Sequence, residues 1–246
     1  KISLGVWGDP VIKLNEFVEG LFQPGGKYYS EDYFSRSEPG TKYEYSNISY
    51  SLLGYILERI TKKDFSEYCR ENIFRPLEMN NSAWYLRDLD TNRIIFGYGF
   101  PAGDTSVTYK KIRHFGLPGY PEGMLRTTMH DLSIFISALI NKGRYKDFTL
   151  IKPETVSLML SPQGIQNIPS RSFRIKDIGL TWLINDIDGT EFYSMNGFSG
   201  SIFTNAYFSP KGRTAIIYYF TGISMRNMPV VLEITRKLKE ALGREL

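Results

Sequence analysis

Apolar positions follow helical spacing through the first two thirds of the chain and gather into short runs in the last third. Ile12, Leu14, Phe17, Val18 and Leu21 predict a helix over 12–22, stopped by Pro24-Gly25-Gly26. A polar, tyrosine-rich loop follows to Ser46. Leu52, Leu53, Ile56, Leu57 and Ile60 then share one helical stripe, with Ser49 as the expected cap. A short helix is expected around 65–74, ended by Pro76. From Arg93 to Met124 glycine, aromatic and β-branched residues predict short strands and turns. Thr128 and Asp131 have capping-box spacing ahead of Leu132, Phe135, Ile136, Leu139 and Ile140, and Gly143 closes that helix.

Strands are predicted over 179–185, 191–195, 201–208 and 214–220, the last two joined by Ser209-Pro210-Lys211-Gly212. A final helix places Val231, Ile234, Leu238 and Leu242 inside and Arg236, Lys237, Lys239, Glu240 and Arg244 in water. The fold class is α+β: a mostly helical region over 1–160, then an antiparallel sheet with a C-terminal helix over 161–246. The uncharged run 215–220 suits a strand covered on both faces, and the closing helix covers one. Either the early helices wrap back across the sheet to cover the other or strands and helices upstream of Lys1 do, and the second is the favoured expectation.

Composition narrows the chemistry. The 246 residues carry 30 Lys and Arg against 26 Asp and Glu, too even a balance for a nucleic-acid footprint. No apolar run approaches the ~20 residues of a membrane span. Cys69 is the single cysteine, which excludes an internal disulfide, and with only His114 and His130 beside it no metal site is expected. No cofactor is expected either. Aromatic residues make up 15% of the chain, which predicts a ring-lined cleft.

The most informative stretch is Pro39-Gly40-Thr41-Lys42-Tyr43-Glu44-Tyr45-Ser46-Asn47, running directly into a helix. Tyr45 offers a phenol that an adjacent ammonium group can turn into a general base. Asn47 offers a carboxamide that can hold a carbonyl or an amine. The same residues can equally be a packed ring and a turn or cap, and residue types alone do not choose between the two. Gly197-Phe198-Ser199-Gly200-Ser201 has the look of a nucleophile elbow, but the second glycine comes one place early and no helix follows. Cys69 reads as a small hydrophobe, and His114 and His130 as surface or helix-start residues.

Several ordered motifs resemble the serine β-lactamase and penicillin-binding protein superfamily, in its class C β-lactamase and esterase branch. Pro39-Gly40-Thr41 with Tyr45-Ser46-Asn47 is similar to that family's PGT…YSN, and residues 50–58 to the helix after it. Residues 74–82 resemble its PLGM stretch, with Glu78 where glycine is usual. Residues 120–128 with Asp131-Leu132, and Gly179-Leu180-Thr181-Trp182, match two further segments. The resemblance implies an acylated serine, with Tyr45 as the catalytic base and later acid. Asn47, Asn196, Gly197, Phe198 and Ser199 would hold the substrate, the last four on a strand edge that supplies an oxyanion donor.

Two family motifs depart from the pattern. No serine here has a lysine three positions later, so the Ser-x-x-Lys nucleophile is expected in a segment before Lys1. The strand position that usually carries Lys or His is Met195, or Asn196 with the register slipped by one, and neither is cationic. Carboxylate recognition gives way to an ester or neutral amide. The expectation is a serine hydrolase for a small or peptide-like substrate, in the periplasm or cell envelope or secreted. The alternative is a non-catalytic relative binding a peptide, a muropeptide or a protein partner.

Overall fold

The computed structural model describes residues 5–99, 109–165, 175–187, 189–199, 201–222 and 228–244. In chain order the elements begin with β1 (Val6–Trp7), α1 (Leu14–Phe22), α2 (Asn47–Thr61) and α3 (Phe65–Cys69). Next come β2 (Gly97–Gly99), β3 (Lys110–Ile112), β4 (Phe115–Gly116), α4 (Met129–Ile140), β5 (Arg144–Tyr145), β6 (Phe148–Thr149) and α5 (Pro153–Leu160). The chain ends with β7 (Ile175–Ile178), β8 (Leu183–Ile187), β9 (Thr190–Ser199), β10 (Ile202–Ser209), β11 (Thr214–Thr221) and α6 (Met228–Arg244). Mixed helix and antiparallel sheet bear out the α+β expectation.

Two compact units divide the chain: Lys1–Ile94 with Arg113–Asp131, and Ile95–Ile112 with Leu132–Leu246. In the first, α1 buries Leu14, Phe17, Val18 and Leu21 in a cluster with Tyr120 and Met124, and Ile48, Leu52 and Tyr55 of α2 pack against it. α2 approaches the turn at 119–121 closely. A Cβ on Gly54 would stand 2.6 Å from Pro121 Cγ, so only glycine fits there. Beside it Ser51 Oγ lies 3.1 Å from the Gly119 carbonyl and 3.0 Å from a Glu122 oxygen. Arg126 holds the far side of this core by donating to the carbonyls of Trp84, Met124 and Phe115.

The second unit is built on a five-stranded antiparallel sheet of order β11-β10-β9-β8-β7. Alternate residues of its strands serve opposite faces. Phe192, Phe203, Tyr207 and Tyr218 form a cluster with Val231 of α6. Ala206, Phe208 and Trp182 form another with Ile136 and Leu139 of α4 and Val156 and Leu160 of α5. Both faces are therefore covered by helices of this chain, which corrects the expectation that upstream elements are needed for the second one. What lacks a neighbour among the described residues is the outer edge of β11.

Smaller corrections concern helix ends and phase. Ser46, not Ser49, caps α2: its hydroxyl accepts from the Ser49 N–H at 3.3 Å, which makes Asn47 the first helical residue. In α6 the buried positions are Val231 and Thr235, while Ile234 is exposed; Thr235 goes inside because its hydroxyl meets the Tyr218 hydroxyl at 3.1 Å. The side chain of Leu242 lies outside the described residues. Gly179 makes a turn with Trp182 ahead of β8 instead of beginning the strand.

Candidate functional site

Tyr43 and Tyr45 lie within electrostatic reach of each other just ahead of α2, whose cap Ser46 is extended. Tyr45 is 66% exposed. Tyr50, one turn into the helix, and Tyr43 are both pushed above the ordinary tyrosine value, first by burial and next by the neighbouring Tyr45 phenol. Three phenols thus gather where α2 begins. Lys42, the ammonium group three residues before Tyr45, is engaged by the Glu44 carboxylate, and that contact holds Glu44 below its ordinary value. Asn47 follows the Ser46 cap on an exposed first turn, where the helix dipole favours groups carrying negative charge. Tyr45 and Asn47 stand on either side of the Ser46 cap, both exposed. Tyr43 and Tyr50 were missed, although their spacing about Tyr45 carried the signal.

In the second unit, β9 pairs with β10 from Tyr193 to Ser199 but with β8 only as far as Ser194, opposite Leu183. Beyond that point one side of β9 has no described strand beside it. Asn196, Gly197, Phe198 and Ser199 all lie on this exposed end, Phe198 at 60%. Gly197 keeps the strand thin, since a Cβ there would meet Thr204 Oγ1 at 2.8 Å. Met195 turns to the other use of a strand residue: its side chain packs against the cluster of Trp182, Phe208 and the α4 and α5 residues. Ser199 is a strand residue paired with Ile202, so the glycine-serine run is a strand end and not an elbow.

Two threonines carry the nucleophile spacing, Thr108 with Lys111 and Thr149 with Lys152. Thr149 sits in two-residue β6 and Lys152 before α5, which is no buried helix start, and Thr108 lies outside the described residues. Cys69 is buried, and burial pushes its thiol up to about 11. His130 is exposed in the first turn of α4 and His114 is half-buried. Among the described residues no group of three His, Cys, Asp or Glu side chains is placed to hold a metal ion, and no helix is long and apolar enough to cross a membrane.

Residues 28–228 match the family profile described as Beta-lactamase. Protein flp of Staphylococcus aureus (strain MW2) is 25% identical over 199 residues, covering 80% of this chain and 36% of the relative. The N-acetylmuramyl-L-alanine amidase of Bacillus subtilis (strain 168) is 23% identical over 208 residues, covering 73% and 47%. Among solved structures, a penicillin-binding protein from Bacillus halodurans superposes with a TM-score of 0.65 at 18% identity, over 91% of this chain and 62% of that one. The chain spans less than half the length of these two curated relatives.

Proposed function

The chain belongs to the Beta-lactamase family, and from that premise we propose that it is part of a serine hydrolase that cleaves an amide or ester through an acyl-enzyme. The observation that carries this reading is the exposed Tyr45 phenol standing one residue before a capped helix whose first residue is Asn47. Tyr45 takes the proton of the attacking hydroxyl and later returns it to the leaving group. Asn47 offers a substrate its carboxamide, and the edge of β9 at 196–199, taken by itself, presents backbone groups with no described strand beside them. The amidase among the relatives supports a small or peptide-like substrate.

The nucleophile comes from a segment outside these 246 residues. Two surfaces support this: the outer edge of β11, which no strand pairs among the described residues, and the α2 stripe of Leu53, Ile56 and Ile60, exposed although apolar. A second reading, a non-catalytic peptide-binding relative, is favoured by Met195, whose neutral side chain is spent on packing. Either reading carries a cell-envelope location, which fractionation of the source cells tests.

A fluorophosphonate probe applied to the full-length gene product separates the two. Labelling of one serine outside residues 1–246, slowed at least about 100-fold by Tyr45→Phe, supports the hydrolase. An unlabelled, folded full-length protein overturns it in favour of binding.

A further inference from the structure

A cleft of about 610 Å³ opens in the first unit at the far end of α2 from Tyr45. At 1.5 Å per residue the 15 residues of α2 put about 20 Å between the two. The volume suits a small organic molecule.

Two arginine-tyrosine stacks flank the opening. The Arg87 guanidinium lies 3.8 Å from the Tyr85 ring centroid, and that of Arg59 lies 6.0 Å from the Tyr55 ring. Tyr55 is itself fixed, its hydroxyl donating to Glu19 at 2.6 Å. Stacking holds a guanidinium in a set orientation without neutralising it. The apolar wall opposite comes from Pro10, Val11 and Ile12.

Five cations and two carboxylates line the cleft, Lys13, Arg59, Lys62, Lys63 and Arg87 against Glu58 and Asp64. Lys63 is paired with Glu71, and Arg87 lies 3.8 Å from Asp9. Glu58 accepts from the Phe65 N–H, and Asp64 from those of Ser66 and Glu67, bonds that orient both carboxylates and leave their charge in place. Lys13, Arg59 and Lys62 have no carboxylate within 4.0 Å among the described residues. A helix C-terminus favours nearby cations, which accounts for Arg59 and Lys62 at the end of α2. It does not account for Lys13, which occupies the N-cap of α1 with no side-chain hydrogen bond to the first turn. There a positive charge opposes the dipole, and an anion would satisfy both the charge and the open N–H groups.

We propose that this cleft binds an organic oxyanion, a carboxylate or phosphate head on a flat ring-bearing body. Lys13, Arg59 and Lys62 hold the head, and the ring lies against Pro10, Val11 and Ile12. The site is independent of the hydrolytic groove.

The test is an NMR titration of the chain with phenyl phosphate, phenylacetate, inorganic phosphate and benzyl alcohol. Phenyl phosphate is expected to shift the signals of Lys13, Tyr55, Lys62 and Tyr85 together, saturating with a Kd below about 1 mM. Affinity should fall severalfold between about 50 and 300 mM salt. Phenylacetate binding as tightly as phenyl phosphate identifies the natural head as a carboxylate, and weaker binding as a phosphate. The Arg59→Gln, Lys62→Gln double variant should bind at least about tenfold more weakly with an unchanged Tm; were it to unfold, Lys13→Gln takes its place. Equal binding by benzyl alcohol, equal binding by inorganic phosphate, shifts scattered over other lysines, or a variant that binds like the parent would each overturn the proposal.

Discussion

The hydroxyl of Ser82 donates to the carboxylate of Asp131 at 2.8 Å, and the same oxygen accepts the Asn81 N–H at 2.8 Å. Asp131 in turn gives its own N–H to the Thr128 hydroxyl at 3.0 Å. Two motifs 49 residues apart in sequence are thereby one hydrogen-bonded unit. The carboxylate is buried, so removing it strands the Asn81 N–H and leaves the Ser82 hydroxyl with Thr127 Oγ1 alone, at 2.6 Å. Asp131→Ala should cost about 2–4 kcal/mol in urea unfolding. Asp131→Asn, which keeps one acceptor, should cost less.

Glu78 stands where the family usually has glycine, and its φ of 60° shows why. In the left-handed region a Cβ crowds the following carbonyl. Glu78→Gly should stabilise the chain by about 0.5–1 kcal/mol, the relieved strain exceeding the extra entropy of the unfolded glycine. Thermal melts of the two proteins check the sign.

Burial holds Glu122 above the ordinary glutamate value, although the Ser51 hydroxyl works against it. The folded chain therefore keeps a proton there that the unfolded chain has released. The stability linked to that proton is full below the unfolded value and is lost as pH rises through the folded one. Glu122→Gln keeps an acceptor for Ser51 without the charge. It should melt higher than the parent at pH ~7.5, and the difference should vanish below about pH 4.3. A constant difference across the range would show that Glu122 is not the titrating group.

Cys69, buried with its thiol near 11, should resist iodoacetamide at neutral pH in the folded chain. Mass spectrometry should find full alkylation only in denaturant.

Much of this was legible in the sequence because single elements announce themselves. The α2 helix, the Thr128 cap and the Ser209 turn each rest on local chemistry and appear where expected, although α2 buries Ser51 and Gly54 and turns Leu53, Ile56 and Ile60 of the predicted stripe outward. The Tyr45-Ser46-Asn47 group was legible through motif order. What was hidden depended on partners remote in sequence. Thr235 displaces Ile234 from the interior because Tyr218 supplies a buried hydroxyl, which no periodicity reveals. β7 is four residues long, carries Lys176 and Asp177, and its register shifts between Ile175 and Asp177, so it has no strand signature. Helix α4 was read from the sequence and α5 was not, and the place of both on the second sheet face follows only from the packing of Ile136, Leu139, Val156 and Leu160.

The eight residues of β11, Thr214–Thr221, hold no charge and no proline, and among the described residues no strand pairs with their outer edge. Such a segment is a template for cross-β growth. At high concentration copies with this side vacant will lengthen into fibres, and whichever strand first lies along it becomes the guardian of solubility.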